Sequence, residues 1–290
     1  MANVKCRDQN DEAERETLKK EFVWLLENEY TRKVADIKRS MEECAKKFVP
    51  VFQPVTSDKD IRPIIFRPSQ TGDDSISYKV SLDGDQIWRA DITIKLAGRK
   101  THKTGIKEHS AWKLKQIQDC ANYFQVAQKQ FNDILQSSSA MNTPKQIQKA
   151  FGDFISTLRQ AVEVLVVPQL PDVKEVYSAE LRGQLKPELP EDVALFFYIS
   201  SDSLVLSVLI AATTQKGNTK NAKDQTTSYG SWVGATYDVG SITYEVTGHQ
   251  QVSSPVRWLQ DVLAFIKDAQ ELAQELIDKV QTFDAYGLEE

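Results

Sequence analysis

The sequence contains little of what most catalytic and metal sites use. Its 290 residues include only three histidines, three cysteines and 12 glycines. None of the histidines or cysteines has a metal-binding spacing such as H-E-x-x-H or C-x-x-C. A Walker A loop, a G-x-G-x-x-G motif and a G-x-S-x-G motif are also missing. We therefore predict that the protein is not an enzyme and holds neither a cofactor nor a metal.

A net positive charge and an apolar N-terminal stretch are also missing. The formal net charge is −5 and the sequence pI is about 5.5. A dedicated nucleic-acid binder needs a net basic face, so that class is disfavoured. The first residues, MANVKCRDQNDEAERE, contain no apolar stretch typical of a signal peptide. We expect a cytoplasmic protein whose cysteines are reduced thiols.

One apolar run, Val193 to Ala212, is long enough to cross a bilayer as a helix. Its centre reads SSDS, and Asp202 would place a carboxylate near the middle of the membrane, which is unfavourable. Aromatic and β-branched residues on both sides of this turn-like centre indicate two strands of a hairpin. We expect no integral membrane segment.

Four segments show the three- and four-residue spacing of helices. They are predicted at 11–48, ended by Pro50; at 110–136, capped by Ser110; at 143–167; and at 254–284, capped by Ser254 and Pro255. The seam of the first helix is Val23, Leu26, Tyr30, Val34, Ile37, Met41, Cys44 and Phe48. Each helix is therefore expected to bury one narrow apolar face.

Between these helices, apolar residues recur at every second position, which predicts strands. Ile76, Tyr78, Val80 and Leu82 alternate with polar residues, a DGD turn follows at 83–85, and Trp88, Ala90, Ile92 and Ile94 alternate again. Further strands are predicted at 192–200, 204–213, 229–237 and 241–247. Segments 97–109 and 214–228 are predicted to be loops.

Helices and strands occur in blocks, which indicates an α+β fold rather than a doubly wound sheet. We predict a four-helix bundle domain from 11–48, 110–167 and 254–284, and a sandwich-like antiparallel β-domain from 51–98 and 192–252. The first and last helices should be partners. The seams also fit an intermolecular coiled coil, but four helices in one chain can bury each other's seams, which favours a monomer.

Two surfaces are candidates for contact with other molecules. The polar side of the helix at 112–136 carries few charges and so is easily desolvated; its candidate residues are Trp112, Lys113, Gln116, Gln118, Asp119 and Asn122. An ordinary solvated helix face would look the same. The basic segment at 99–107 offers Lys100, Lys103 and Lys107 to an acidic partner or to anionic lipid, although a solvated loop also explains it.

Five motifs resemble the Rogdi family and follow its order. They are EFVWLLENE at 21–29, LDGDQIWRADI at 82–92, WKLKQIQD at 112–119, LPEDVALFFYIS with LVLSVL at 189–209, and WLQDVLAF at 258–265. Each is weak alone, but five in register along nearly the whole chain are specific. Residues 51–74, 97–109 and 214–228 show no such likeness.

The resemblance implies a function that the residues alone do not indicate. The family includes the small subunit of the RAVE complex and its animal counterpart, which is associated with rabconnectin-3. These complexes promote docking of the V1 sector of the vacuolar and endosomal proton ATPase onto its V0 sector.

From the resemblance we expect a non-catalytic adaptor. Its partners would be a large β-propeller subunit of the RAVE or rabconnectin-3 type and subunits of V1. It would be cytoplasmic and peripherally associated with vacuolar or endosomal membranes. The alternative is an independent, vesicle-associated protein that forms a homodimeric coiled coil.

Overall fold

The computed structural model describes residues 2–52, 76–96, 100–107, 110–137, 143–215 and 232–284. The fold is α+β, as predicted. The helices are α1 (Ala2–Trp24), α2 (Thr31–Phe52), α3 (Lys115–Ser137), α4 (Pro144–Val166), α5 (Val173–Val176), α6 (Ala179–Gly183) and α7 (Arg257–Asp284). The strands are β1 (Ile76–Asp83), β2 (Gln86–Ile94), β3 (His102–Ile106), β4 (Trp112–Lys113), β5 (Leu185–Lys186), β6 (Val193–Ser200), β7 (Ser203–Gln215), β8 (Thr236–Val239) and β9 (Ile242–Pro255).

The chain divides into two compact units, each assembled from separate stretches of sequence. Unit 1 comprises Met1–Phe48, Asp119–Glu163 and Gln260–Glu290, and unit 2 comprises Val49–Gln118 and Val164–Leu259. The domain boundaries predicted from the sequence remain a proposal.

Unit 1 is a helical bundle whose core is rich in phenylalanine. Phe48 of α2 packs on Phe124 of α3, with ring centroids 5.2 Å apart, and Phe131 of α3 packs on Phe154 of α4 at 5.4 Å. The predicted seam of α4 is buried throughout, at Ile147, Phe151, Phe154, Leu158, Ala161 and Leu165. Helical spacing thus identified this face correctly.

The first helix departs from its predicted seam near its start. Phe22 and Leu25 are buried, whereas Val23 is 52% exposed. The step from Leu25 to Tyr30 is five residues, and a π-helical segment occupies Leu25–Tyr30. A π-helix inserts one residue and rotates the preceding turns about the helix axis, which explains the wrong prediction for Val23.

Helices α2 and α7 run antiparallel in unit 1, so the first and last helices are neighbours as predicted. Lys33 pairs with Glu275, Ser40 donates a hydrogen bond to Asp268, and the Lys47 Nζ lies 2.6 Å from Asp261 Oδ2. The three contact residues of α2 are seven residues apart, and their partners on α7 are also seven residues apart, in the opposite direction. Pro50 lies in the last turn of α2 instead of ending the helix before it.

Unit 2 contains two antiparallel sheets. Sheet A has the order β1-β2-β3-β5, with β4 also paired to β2. The predicted hairpin of β1 and β2 is present, but a bulge at Ser81/Leu82 shifts its register. Ile87 is therefore buried at the position expected for Trp88, which is half-buried.

Two other predictions near sheet A are wrong. The segment at 97–109 contains strand β3, which pairs with β2 and β5; residues 97–99 and 108–109 lie outside the described residues. Trp112 and Lys113 form strand β4 rather than the first turn of a helix. Helix α3 begins at Lys115, because backbone pairing with β2 holds the preceding residues extended.

Sheet B has the order β6-β7-β9-β8 and contains the predicted hairpin of β6 and β7. Among the described residues no helix combines the length and apolar character needed to cross a bilayer.

Strand β9 runs to Pro255, beyond its predicted end, and α7 begins at Arg257. Ser254 and Pro255 are therefore strand residues, because they pair with β7. Residues 216–231, which include most of the predicted loop and the predicted start of β8, lie outside the described residues.

Candidate interaction surfaces

A groove of about 520 Å³ in unit 2 contains three of the residues proposed from the sequence. Its lining includes Trp112, Lys113, Gln116, the 169–172 segment and Tyr198. Aromatic, aliphatic, amide and charged side chains all line it, so it offers both apolar and polar contacts to a segment of another protein. The groove is therefore the first candidate surface.

Gln116 has a structural role that its sequence context does not reveal. Its side chain is 5% exposed. The Nε2 group donates to Ile199 O at 2.8 Å and to Val164 O at 3.0 Å, while Ile199 N donates to Gln116 Oε1 at 2.8 Å. The amide thus pairs with edge strand β6 much as a neighbouring strand would. The polar atoms of Gln116 are already engaged, so a partner cannot use them.

Trp112 is also part of the interior. It pairs with Ile87 through the backbone, and its ring meets Phe197 edge-on with centroids 5.6 Å apart. Phe197 in turn contacts Tyr78, whose hydroxyl donates to Leu204 O at 3.2 Å. This aromatic chain joins sheet A to sheet B, so Trp112 stabilises unit 2 rather than offering its ring to a partner.

Lys113 lies at the exposed rim of the groove. Its Nζ is 3.9 Å from Asp85 Oδ2. Asp85 is almost fully buried at the tip of the β1–β2 hairpin, and this burial raises the pKa of its carboxyl, while Lys113 partly opposes the shift. Lys113 therefore balances a buried carboxylate and remains reachable from solvent.

The other predicted residues of α3 are divided between the units. Gln118 belongs to unit 2 and is half-buried, and Asp119 of unit 1 is also half-buried. Asn122 of unit 1 is exposed, beside Tyr123 and Val126, which is 51% exposed. Sequence reasoning missed Tyr123 and Val126. The one available signal was that both apolar residues fall outside the helical seam.

A second exposed apolar position lies where the π-helical segment begins. Trp24 is 58% exposed, and Asn28 Nδ2 donates to its carbonyl at 2.9 Å. Tryptophan is enriched among residues that dominate binding energy, and π-helical turns often lie at functional sites. Trp24 is therefore a candidate contact of unit 1.

The three proposed lysines lie on or beside β3. Lys103 is on the strand and exposed, Lys100 precedes it and is exposed, and Lys107 follows it and is half-buried. Backbone pairing fixes β3 on both sides, since Lys103 faces Thr93 and Gly105 faces Lys186. Lys103 is therefore held on a sheet rather than on a loop, and Lys100 and Lys107 flank its strand.

The strongest catalytic arrangement in the described residues is a serine–histidine contact in sheet B. Ser207 Oγ lies 2.7 Å from His249 Nε2, and burial lowers the pKa of His249. Ser207 is fully buried, so a substrate cannot reach its hydroxyl. The contact is best explained as a hydrogen bond within the sheet.

The described thiols and acidic residues likewise form no evident reaction centre. Cys44 and Cys120 are free and buried in unit 1, and burial raises the pKa of both thiols, that of Cys120 to about 12. A thiol with so high a pKa is a poor nucleophile at neutral pH. Across the described ranges, no group of three His, Cys, Asp or Glu side chains could hold a metal ion.

A family sequence model and individual related proteins assign the chain to the same family. The sequence model of the Rogdi leucine zipper containing protein family matches residues 21–271. The chain is 29% identical to Protein rogdi of Drosophila melanogaster over 92% of its own length and 88% of that protein. It is 27% identical to the Protein rogdi homolog of Danio rerio, covering 95% and 96% of the two chains. For the Protein rogdi homolog of Homo sapiens the identity is 26%, covering 94% and 95%.

Proposed function

Because this chain belongs to the Rogdi leucine zipper family, we propose that it is a non-catalytic adaptor subunit of a RAVE-type complex. In this role it promotes assembly of V1 onto V0 of the vacuolar or endosomal proton ATPase. Family membership over residues 21–271 is the observation that carries the proposal. Its partners would be a large β-propeller subunit and V1 subunits.

The mechanism requires only that the chain hold two partners at once. Tethering raises the effective concentration of one partner near the other without any covalent step. Surfaces in each unit support this role: the groove beside Lys113 in unit 2, and the exposed Trp24, Tyr123 and Val126 in unit 1. We propose that the protein acts in the cytoplasm and at the surface of vacuolar or endosomal membranes.

Burial of the helical seams favours the adaptor over the homodimeric coiled coil. Val34, Ile37 and Met41 of α2 are all buried, and α7 is paired beside α2 within the same chain. A coiled-coil dimer formed through these residues would have to open unit 1 first, exposing its phenylalanine core. The adaptor requires no such opening.

Affinity purification of the tagged chain from its own cells, followed by quantitative mass spectrometry at physiological salt, tests the proposal. We expect V1 subunits together with a large β-propeller protein. Recovery of copies of this chain alone would overturn the adaptor and support the coiled coil.

Matched variants locate the contact surface in the same experiment. Trp24→Glu and Tyr123→Glu/Val126→Glu place carboxylates on exposed apolar positions of unit 1, and we expect at least one to lose a partner. Val233→Glu is the control, because Val233 is 54% exposed on a turn of unit 2. Equal recovery of all partners by every variant would exclude these unit 1 positions as contacts.

A further inference from the structure

Lysines line up across the outer face of sheet A. The register places Lys79 of β1 beside Asp91 of β2, Asp91 beside Gly105 of β3, and Gly105 beside Lys186 of β5. Lys79, Asp91 and Lys186 are exposed, while their strand neighbours Tyr78 and Leu185 are buried. The row therefore lies on the solvent side of the sheet.

Further basic residues lie at neighbouring positions on the same face of sheet A. Lys103 of β3, which faces Thr93, is exposed on this side, and so is Arg89 of β2, which faces Ser81. Lys95 follows β2 and is exposed two residues beyond Thr93. Within the described parts of β1, β2, β3 and β5, two carboxylates lie on this side: Asp91, which is exposed, and Asp83, which is half-buried at the end of β1.

The lysines of this face are not neutralised by ion pairs. In the part of the chain that is described, Lys79, Lys103 and Lys186 make no ion pair. Adjacent strands lie about 4.8 Å apart, and successive residues on one face about 7 Å apart. On these spacings Lys103 lies roughly 8–9 Å from Lys95 and from Lys186, about one Debye length at physiological salt, so their fields overlap. Lys79 lies roughly 12 Å from Lys103 and contributes to the same face more independently.

The net charge of this face is opposite in sign to the net charge of the whole chain. The whole sequence has a net charge of −5, whereas this face carries Lys79, Lys95, Lys103 and Lys186 against the exposed Asp91 and the half-buried Asp83. Scattered surface charges of both signs would not produce such a patch. A concentrated basic face on an acidic protein orients the molecule toward a negatively charged partner.

We propose that the outer face of sheet A, defined by Lys79, Lys95, Lys103 and Lys186, adsorbs to the surface of a membrane rich in anionic lipid. A protein partner is disfavoured because interface cores need large apolar or aromatic anchors. The uncharged residues among these lysines are small and polar, namely Ser77, Thr93 and Gly105. Lysine also acts as a hydrated point charge, suited to diffuse attraction by lipid headgroups.

The adsorption is weak for each lysine and depends on several acting together. Each lysine near an anionic surface strengthens binding by about fivefold. Asp91 opposes the attraction, so its removal should strengthen binding. Adsorption requires only the isolated chain and lipid, whether or not the chain takes part in assembly of a proton ATPase.

Co-sedimentation of the purified full chain with vesicles tests it. We expect binding to vesicles of phosphatidylcholine with phosphatidylserine, no binding to phosphatidylcholine alone, and release at high KCl. Lys79→Glu/Lys103→Glu/Lys186→Glu should lower the affinity by roughly 100-fold or more, and Asp91→Asn should raise it. Circular dichroism establishes that each variant is folded.

The matched control changes the same net charge elsewhere. Lys129→Glu/Lys149→Glu/Arg159→Glu alters three exposed cations of unit 1, and we expect vesicle binding close to that of the unchanged chain. An equal loss in both triple variants would overturn the assignment to sheet A. Binding to poly-glutamate but not to vesicles would also overturn it and would indicate an acidic protein partner.

Discussion

At the scale of single residues, Gln116 shows how one side chain can take the place of a strand. Its amide both donates to and accepts from Ile199, closing the free edge of β6 at that point. An unpaired edge strand is prone to pair with other chains. Gln116 therefore protects β6 while fixing the beginning of α3.

Gln116→Leu tests this role through stability. The substitution leaves Ile199 N–H, Ile199 O and Val164 O without this partner, so we expect a loss of about 2 kcal/mol or more in the free energy of unfolding. Urea denaturation followed by circular dichroism measures the loss. Gln125→Leu, on the exposed side of α3, is the control and should change stability little. Equal stability of the two variants would show that the amide contacts are dispensable.

Gly84 is a second residue whose identity is fixed by its surroundings. It has φ +54°, and an added Cβ would lie 2.7 Å from Pro50 O. Gly84→Ala should therefore destabilise the chain by about 2 kcal/mol or more, from backbone strain and the collision together. Thermal melting provides the measurement.

The control for Gly84 is a glycine in open space. Gly152 lies within α4, and an added Cβ would meet nothing within 4 Å. Gly152→Ala should stabilise the chain by about 0.5–1 kcal/mol through helix propensity. A loss of stability at both sites would contradict the distinction drawn from their surroundings.

His249 gives stability a dependence on pH. Burial lowers its pKa below 6.5 in the folded state, so the unfolded chain binds a proton more readily. Stability from this residue is present above pH 6.5 and is lost as the pH falls toward the folded-state pKa. His249→Gln should flatten this part of the profile.

The profile is measured as the free energy of unfolding at several pH values between neutral and mildly acidic. The difference between the unchanged chain and His249→Gln isolates this residue from the carboxylates, which also titrate. His102→Gln, on β3, serves as the comparison. An identical slope for the unchanged chain and His249→Gln would contradict the prediction.

At the scale of elements, the pairing of α2 with α7 depends on a constant register. The contact of Lys47 with Asp261 belongs to this series, with both side chains partly exposed. We expect Lys47→Glu to destabilise unit 1 and Lys47→Glu/Asp261→Lys to recover stability. The coupling should be about 0.2–1 kcal/mol, as for exposed pairs, and smaller at high salt.

A double-mutant cycle measured by chemical denaturation provides the coupling energy. Lys149, which lies exposed on α4, supplies the comparison in Lys149→Glu/Asp261→Lys, where no coupling is expected. A coupling as large as that of the matched pair would show that the effect reflects general charge rather than register.

Helices and strands were predictable where apolar residues kept one spacing, and they were not predictable where that spacing changed. The α4 seam from Ile147 to Leu165 keeps a helical rhythm, so the sequence identified it. The π-helical turn before Tyr30 and the bulge at Trp88 each add one residue, which shifts every position on one side of the insertion. Strand β3 was missed because its sequence, HKTGI, contains a single aliphatic residue and gives no apolar alternation.

The candidate site was predictable only in part for a related reason. Sequence periodicity assigns polar residues to the surface, yet Gln116 is buried because a strand edge from a distant part of the chain needs its amide. Trp112, a candidate contact residue in the sequence, instead packs inside against Phe197. Lysines on separate strands join one face only through the register of β1, β2, β3 and β5, which no local pattern contains.

At the scale of the whole molecule, the fold predicts a monomer. From Tyr30 to Phe48, the seam residues that could pair two chains are buried within unit 1. Sedimentation velocity across a wide range of concentrations should give a single species near 32.8 kDa. A species of twice that mass whose proportion grows with concentration would contradict the prediction and support the coiled-coil alternative.

The contact of Lys33 with Glu275 spans 242 residues of sequence, and it sets an order of events during synthesis. The ribosome releases α2 long before α7 exists, so the apolar side of α2 waits without one of its partners. Unit 2 lies entirely before residue 260 and is translated before unit 1 is complete. A chain terminated before α7 therefore carries an uncovered apolar helix, the feature that chaperones and proteases use to select a protein for rescue or destruction.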